Sequence, residues 1–157
     1  MGAGPFHAWT RRGFLSAIAA SRLAAAGQEG RRFASDRVRY ADPATEFEVL
    51  RLTDPSYSSF LPAYYTQALS RRGNFMVFWS DRTGSAQAFQ MNLRNGETRQ
   101  LTDLAALDGS SLSLLPDERS FVGFDGTALR RTSLSNLRDR EIYRIPEGWS
   151  KGAGLGR

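Results

Sequence analysis

From Glu46 onward the chain runs in short apolar or alternating stretches separated by turn residues. Phe47, Val49, Leu50 and Leu52 form one mostly alternating run, and Ala63 to Leu69 forms a second. Phe75-Met76-Val77-Phe78-Trp79 is continuously apolar, the pattern of a strand buried on both faces. Ala86 to Leu93 alternates, and Thr98 to Leu101 follows it. Arg71 to Asn74 and Asp81 to Gly84 read as turns, and Asn95-Gly96 is a strong hairpin signal. After Ala26 no segment carries a sustained apolar stripe at helical spacing. The pattern predicts an all-β body of antiparallel strands.

The strands repeat. Leu52-Thr53-Asp54 returns as Leu101-Thr102-Asp103, and Phe75-Met76-Val77-Phe78 has a counterpart in Phe121-Val122-Gly123-Phe124. Both offsets are roughly 45 to 50 residues, the size of a four-stranded β-propeller blade. Two unrelated meanders are the alternative, against which the phase of the Leu-Thr-Asp recurrence argues. Propellers close with about four to eight blades. The expected architecture is therefore a partial β-propeller of about two four-stranded antiparallel blades, at about 60 to 109 and 110 to 146. Glu46 to Leu52 would serve a neighbouring blade. The chain would be the N-terminal part of a longer propeller, or a truncated product, lacking its C-terminal blades.

The first 26 residues differ from the rest. Arg11-Arg12, followed by Phe14 and Leu15 and a short weakly apolar run, has the form of a twin-arginine export signal. Ala24-Ala25-Ala26 offers small residues for cleavage. The run is too short to span a bilayer and Arg22 interrupts it, so no stable membrane span is expected. An amphipathic N-terminal helix is the alternative. The organisation expected is a signal helix at 1–26, a linker at 27–45, blades at 46–149 and a glycine-rich tail at 150–157. The body would be periplasmic or secreted through the twin-arginine pathway.

Composition narrows the chemistry. There is no Cys and a single His, His7, which lies in the export segment. Thiol catalysis, Cys-type zinc sites, a Ser-His-Asp triad and a multi-His metal site within this chain are thereby set aside. The formal net charge is +5, with 21 basic and 16 acidic residues. Arg11, Arg12 and Arg22 supply most of that excess, and beyond them Arg and acids are interspersed. A nucleic-acid footprint would be clustered, so none is expected.

The ordered set Arg51-Leu52-Thr53, Tyr64-Tyr65-Thr66-Gln67, Gly73 to Phe78, Asn92-Leu93, Gln100-Leu101-Thr102 and Glu141 to Trp149 resembles the first blades of the oligogalacturonate lyase family. More broadly, the strand and Leu-Thr-Asp texture resembles TolB-like and dipeptidyl-peptidase-like propeller repeats. The closer resemblance implies a seven-bladed propeller that cleaves pectin-derived galacturonate oligomers by β-elimination. It implies manganese or another divalent metal, held by His and Gln of later blades. No His follows His7, so no catalytic or metal-binding position carries over, and no cofactor is expected in this chain. The sequence also departs at Phe60-Leu61-Pro62-Ala63, where the resemblance implies a run containing His and Arg. A TolB-like segment that binds an envelope protein without chemistry is the rival reading. A peptidase propeller would need a hydrolase domain downstream.

Within the body, Tyr64, Tyr65 and Gln67 fall on the strand expected innermost in the first blade. Alternate residues there would face the channel, where an acidic oligosaccharide could stack on a ring; otherwise one Tyr is core and the other packs on the next blade. Arg71, with Arg72, could attract the same acidic sugar, or be a solvated turn. Trp79 is expected in the core between blades. Asp81 is expected to cap backbone amides in its turn.

Overall fold

The computed structural model describes residues 27–149. The segment read as an export signal, with Arg11, Arg12, Phe14 and Leu15, and the glycine-rich tail lie outside the described residues. The body is all-β. One sheet contains the meander β4 (Ser59–Phe60), β5 (Phe75–Ser80), β6 (Gln87–Asn92) and β7 (Thr98–Gln100), with β1 (Arg32–Phe33) added outside β7. A second sheet is the meander β8 (Leu107–Leu114), β9 (Ser120–Asp125), β10 (Ala128–Ser133) and β11 (Asp139–Arg144). A separate hairpin pairs β2 (Val38–Ala41) with β3 (Glu48–Arg51). The two meanders are the two blades, and every pairing is antiparallel. β5 and β9, which carry the repeated Phe-rich stretches, occupy the same second position in their sheets.

The continuous apolar run of β5 follows from burial on both faces. Side chains alternate across a strand, so Val77 and Met76 point to opposite sides. On one side Val77, Ala88 and Leu101 meet Leu107, Leu112, Leu114, Phe121 and Leu134 of the second blade. On the other, Met76, Phe78, Phe89 and Met91 are covered by Phe33 and Leu52 from the N-terminal part of the described chain. Burying one large apolar side chain contributes about 1.5–3 kcal/mol, so the first blade is held from both sides.

One expectation changes here. The segment read as a linker carries β1 and β2. β1 pairs with β7 through Arg32↔Arg99 and Phe33↔Thr98, and Phe33 packs on the Phe89 ring at 6.0 Å. Strands of two to four residues have too few alternations to show in the pattern. β3 belongs to a hairpin outside both blades. It closes on β2 through a turn where Asp42 Oδ1 accepts from the amides of Ala44 and Thr45.

The Leu-Thr-Asp recurrence has a packing reason in its second copy. Leu101 is fully buried. Thr102 Oγ1 accepts from the Ala88 amide at 2.9 Å and donates to Gln87 Oε1 at 2.8 Å. Gln87 Oε1 also accepts from the Leu104 amide, and its Nε2 donates to Leu104 O and Ser85 Oγ. Asp103 Oδ2 accepts from the Gln28 amide, tying in the start of the described chain.

Candidate functional site

The innermost position of each sheet is irregular in the same way. In the second blade β8 and β9 pair as Asp108↔Phe124 and then Ser113↔Val122, so Gly109 to Leu112 bulge opposite Gly123. In the first blade β4 pairs Phe60↔Trp79, and the chain returns only at a bridge between Leu69 and Met76. Residues 61–68 form a larger excursion from that edge. Bulges of this kind re-aim side chains along a sheet edge.

The expected inner strand over Ala63 to Leu69 is thus corrected: Tyr64, Tyr65 and Thr66 form a turn. Pro62 explains part of this, because it cannot donate to a ladder. The Thr66 amide and Oγ1 both donate to Ala63 O, at 2.9 and 2.7 Å, closing the turn. The loop is then fixed to the second blade at both ends. The Ala63 amide donates to Ser110 O at 3.1 Å, and the Leu114 amide donates to Gln67 O at 2.7 Å. The two bulges therefore brace each other.

Neither tyrosine is core. Tyr64 is 89% exposed and Tyr65 65% exposed, with their rings edge to face at 5.3 Å. They stand on a loop whose backbone is pinned, beside a shallow apolar depression of about 330 Å³ lined by Leu61, Pro62, Gln67 and Leu69. Gln67 turns its amide nitrogen back to Leu69 O at 3.3 Å. Arg71 is not part of this depression. It lies on the turn after Ser70, its amide donating to Glu118 Oε1 of the second blade. The structure groups Tyr64, Tyr65 and Gln67 and sets Arg71 apart.

Trp79 sits at the seam as expected, stacked on Phe60 at 4.8 Å and packed against the inter-blade core. Its partner across the seam is Gly109, where an added Cβ would lie closer to the indole than the 3.0 Å that real Cβ atoms respect. Asp81 Oδ1 accepts from the Ser58 amide at 2.9 Å, so it caps an amide beside β4 rather than one in its own turn.

Arg82, within the turn expected over Asp81 to Gly84, does more. Its guanidinium lies over the Phe33 ring at 4.2 Å and near Tyr57 at 5.7 Å, and it is ion-paired with Asp36. The only sequence signal was an Arg beside a turn, with partners far away along the chain.

Asp42 and Asp54 lie below the usual aspartate value, because the amides of Ala44 and Thr45, and of Ser56, donate to them. Arg130 is raised, first by its hydrogen bond to Asp139. Among the described residues no group of three or more His, Cys, Asp or Glu side chains could hold a metal ion. The donor set of the described residues does not fit a manganese site. No helix among the described residues is long and apolar enough to cross a membrane.

No family model matches the chain. It is 26% identical over 111 residues to the oligogalacturonate lyase of Dickeya dadantii (strain 3937), and equally so to the oligogalacturonide lyase of Pectobacterium atrosepticum. Each match covers 70% of this chain and 29% of the relative. The fold matches an oligogalacturonate lyase solved with manganese at a TM-score of 0.74. That match has 24% identity and covers 77% of this chain and 32% of the other. The oligogalacturonate lyase of Vibrio parahaemolyticus matches at the same TM-score with 23% identity. In sequence and in fold the chain resembles a part of these oligogalacturonate lyases. It spans under a third of the length of the proteins it matches.

Proposed function

We propose that this chain supplies two N-terminal blades of an exported oligogalacturonate-lyase-like propeller. In this reading it provides channel wall and a stacking platform for an acidic oligosaccharide, while the elimination is carried by residues beyond these blades. The likeness to oligogalacturonate lyases in both sequence and fold carries the reading. The exposed, pinned pair Tyr64 and Tyr65 supports the platform role, since a Tyr ring presents an apolar face and a polar tip to a sugar. Gln67 adds an amide within the same depression. Arg71 lies on a turn outside it and would act only through its charge. The Arg11-Arg12 segment supports export.

The chemistry of such an elimination needs a base to take the C5 proton while the bond from C4 to the glycosidic oxygen breaks. The electrons of the C5–H bond form the C4–C5 double bond, and the leaving oxygen takes a proton. The residues of 27–149 include no imidazole, the side chain that most often does this work near neutral pH.

The test is binding of trigalacturonate to the full chain by calorimetry, with the Y64A/Y65A variant alongside. The variant should lose most of the binding heat and keep its melting temperature, because both rings are exposed. Equal binding by the variant would refute the platform. A companion assay follows the ultraviolet absorbance of the conjugated double bond. Turnover by the chain alone would refute the division of labour. Replacing Arg11 and Arg12 by Lys should hold a reporter fusion in the cytoplasm, and continued export would refute the signal.

A further inference from the structure

The β2–β3 hairpin belongs to the same repeat as the blades. The Leu-Thr-Asp recurrence aligns Leu52 with Leu101, and so Val49, Leu50 and Arg51 of β3 with Thr98, Arg99 and Gln100 of β7. The cross-strand partners follow. Arg51 pairs with Val38 as Gln100 pairs with Phe89, and Val49 pairs with Tyr40 as Thr98 pairs with Met91. β2 therefore corresponds to β6. The connections agree, since β3 leads into the innermost strand β4 as β7 leads into β8. So does the packing. Leu52 covers Met76, Phe78, Phe89 and Met91 of the first blade, as Leu101 joins the core shared with the second. The hairpin stands to the first blade as the outer half of the first blade stands to the second.

What the hairpin lacks is an inner half. β6 pairs with β5 on its inner side, but among the described residues β2 pairs only with β3. The pleat puts Val38 and Tyr40 on one face with Val49. In the first blade the corresponding Phe89 and Met91 are fully buried, whereas Val38 is 43% and Tyr40 47% exposed. An open edge is a template for another strand, and soluble proteins blunt such edges with Pro or charge. β2 has no Pro. Its one charge, Arg39, lies on the opposite face and is ion-paired with Glu48. A two-stranded ribbon is also marginally stable by itself.

We propose that this hairpin is the outer half of a blade that closes the ring, and that the free edge of β2 takes an antiparallel strand from the C-terminal blades. This rests on the lyase-like propeller reading for the existence of those blades. The occupant is a strand of β5's kind, apolar on both faces, because it takes the place that β5 holds beside β6. The expectation that Glu46 to Leu52 serves a neighbouring blade is thereby extended. β2 joins that blade, and the blade is shared between the two ends of the propeller. Main-chain bonds to β2 supply affinity, and the cover of Val38 and Tyr40 fixes the register.

The test is co-expression of the full chain with the part of the Dickeya dadantii lyase outside the stretch it matches, followed by size exclusion and amide exchange. A one-to-one complex is expected, with the amides of Val38–Ala41 slowed about tenfold or more against the free chain. The V38K/Y40K variant should melt like the wild type when free, because both side chains are exposed. It should lose the complex, because two ammonium groups would be buried without partners. No complex with the wild-type chain would overturn the closure, as would equal assembly by V38K/Y40K. So would a complex in which Val38–Ala41 exchange as in the free chain, since the second blade alone would then hold it. If the lyase part is insoluble, a synthetic peptide copying residues 58–81, the inner half of the first blade, is the second probe. It should protect Val38–Ala41 and leave the edge strand Asp139–Arg144 unchanged; no protection, or equal protection of both edges, would overturn the proposal. A closed complex that binds no trigalacturonate keeps the closure and refutes the platform. Trigalacturonate binding without protection of β2 refutes the closure alone.

Discussion

Replacing Gln87 by Met tests whether the Leu-Thr-Asp stretch works as a polar knot. Gln87 is 1% exposed and makes four side-chain hydrogen bonds, two as acceptor and two as donor. Met has nearly the same volume, so no cavity term enters. What remains is the loss of partners for the Leu104 amide, the Leu104 carbonyl and the Thr102 hydroxyl. A buried group left without its partner costs about 1–3 kcal/mol. The Leu104 groups are partly buried and can reach water, while Thr102 is enclosed and keeps its bond from Ala88. The expected destabilisation is about 2–4 kcal/mol. With a urea slope of about 1–3 kcal/mol/M, the midpoint should fall by roughly 1–2 M in equilibrium unfolding. Replacing Thr102 by Val should also destabilise, by freeing the Ala88 amide. The double variant should cost less than the two single changes together, because their mutual bond is removed from both sides. A midpoint unchanged in Q87M, or strictly additive effects, would refute the knot.

Gly109→Ala should destabilise by about 1–3 kcal/mol through overpacking against Trp79 and change the near-ultraviolet dichroism of that indole. An unchanged spectrum would refute the seam contact. Arg82→Ala should loosen the N-terminal segment from the first blade, since a cation over an aromatic face contributes about 0.5–2 kcal/mol. Faster amide exchange at Phe33, with little change at Phe121, is the expected signature. Amide donors hold Asp42 and Asp54 below the ordinary aspartate value, so their contribution is present above the unfolded value and is lost as pH falls through the folded one. Asp42→Asn should flatten the loss of melting temperature on acidification below about pH 4, and an unchanged acid limb would refute it.

How much of this could be read from the chain depends on how each element is buried. β5 announced itself because both of its faces are covered, and Asn95-Gly96 marked the turn where Gly96 adopts φ 78°. β9 was found through its likeness to β5. The inner edge of the first blade was misread, because Tyr-Tyr-Thr has the composition of a strand while Pro62 and the Thr66–Ala63 bonds make a turn. β1 and β2 left no signal: β1 is two residues held by partners distant in sequence, and β2 is four residues paired with the nearby β3.

The strand order β1-β7-β6-β5-β4 also constrains the order of events during synthesis. Arg32 and Phe33 leave the ribosome early, but their partners Thr98 and Arg99 follow only after the rest of the first blade. Until then Met76, Phe78, Phe89 and Met91 lack a complete cover. Pairing across such a long loop is slow relative to local hairpins, and exposed apolar faces on unfinished sheets invite association. Residues that emerge before the first blade are thus among the last to settle, and a chain stalled before Arg99 would present a sticky sheet face.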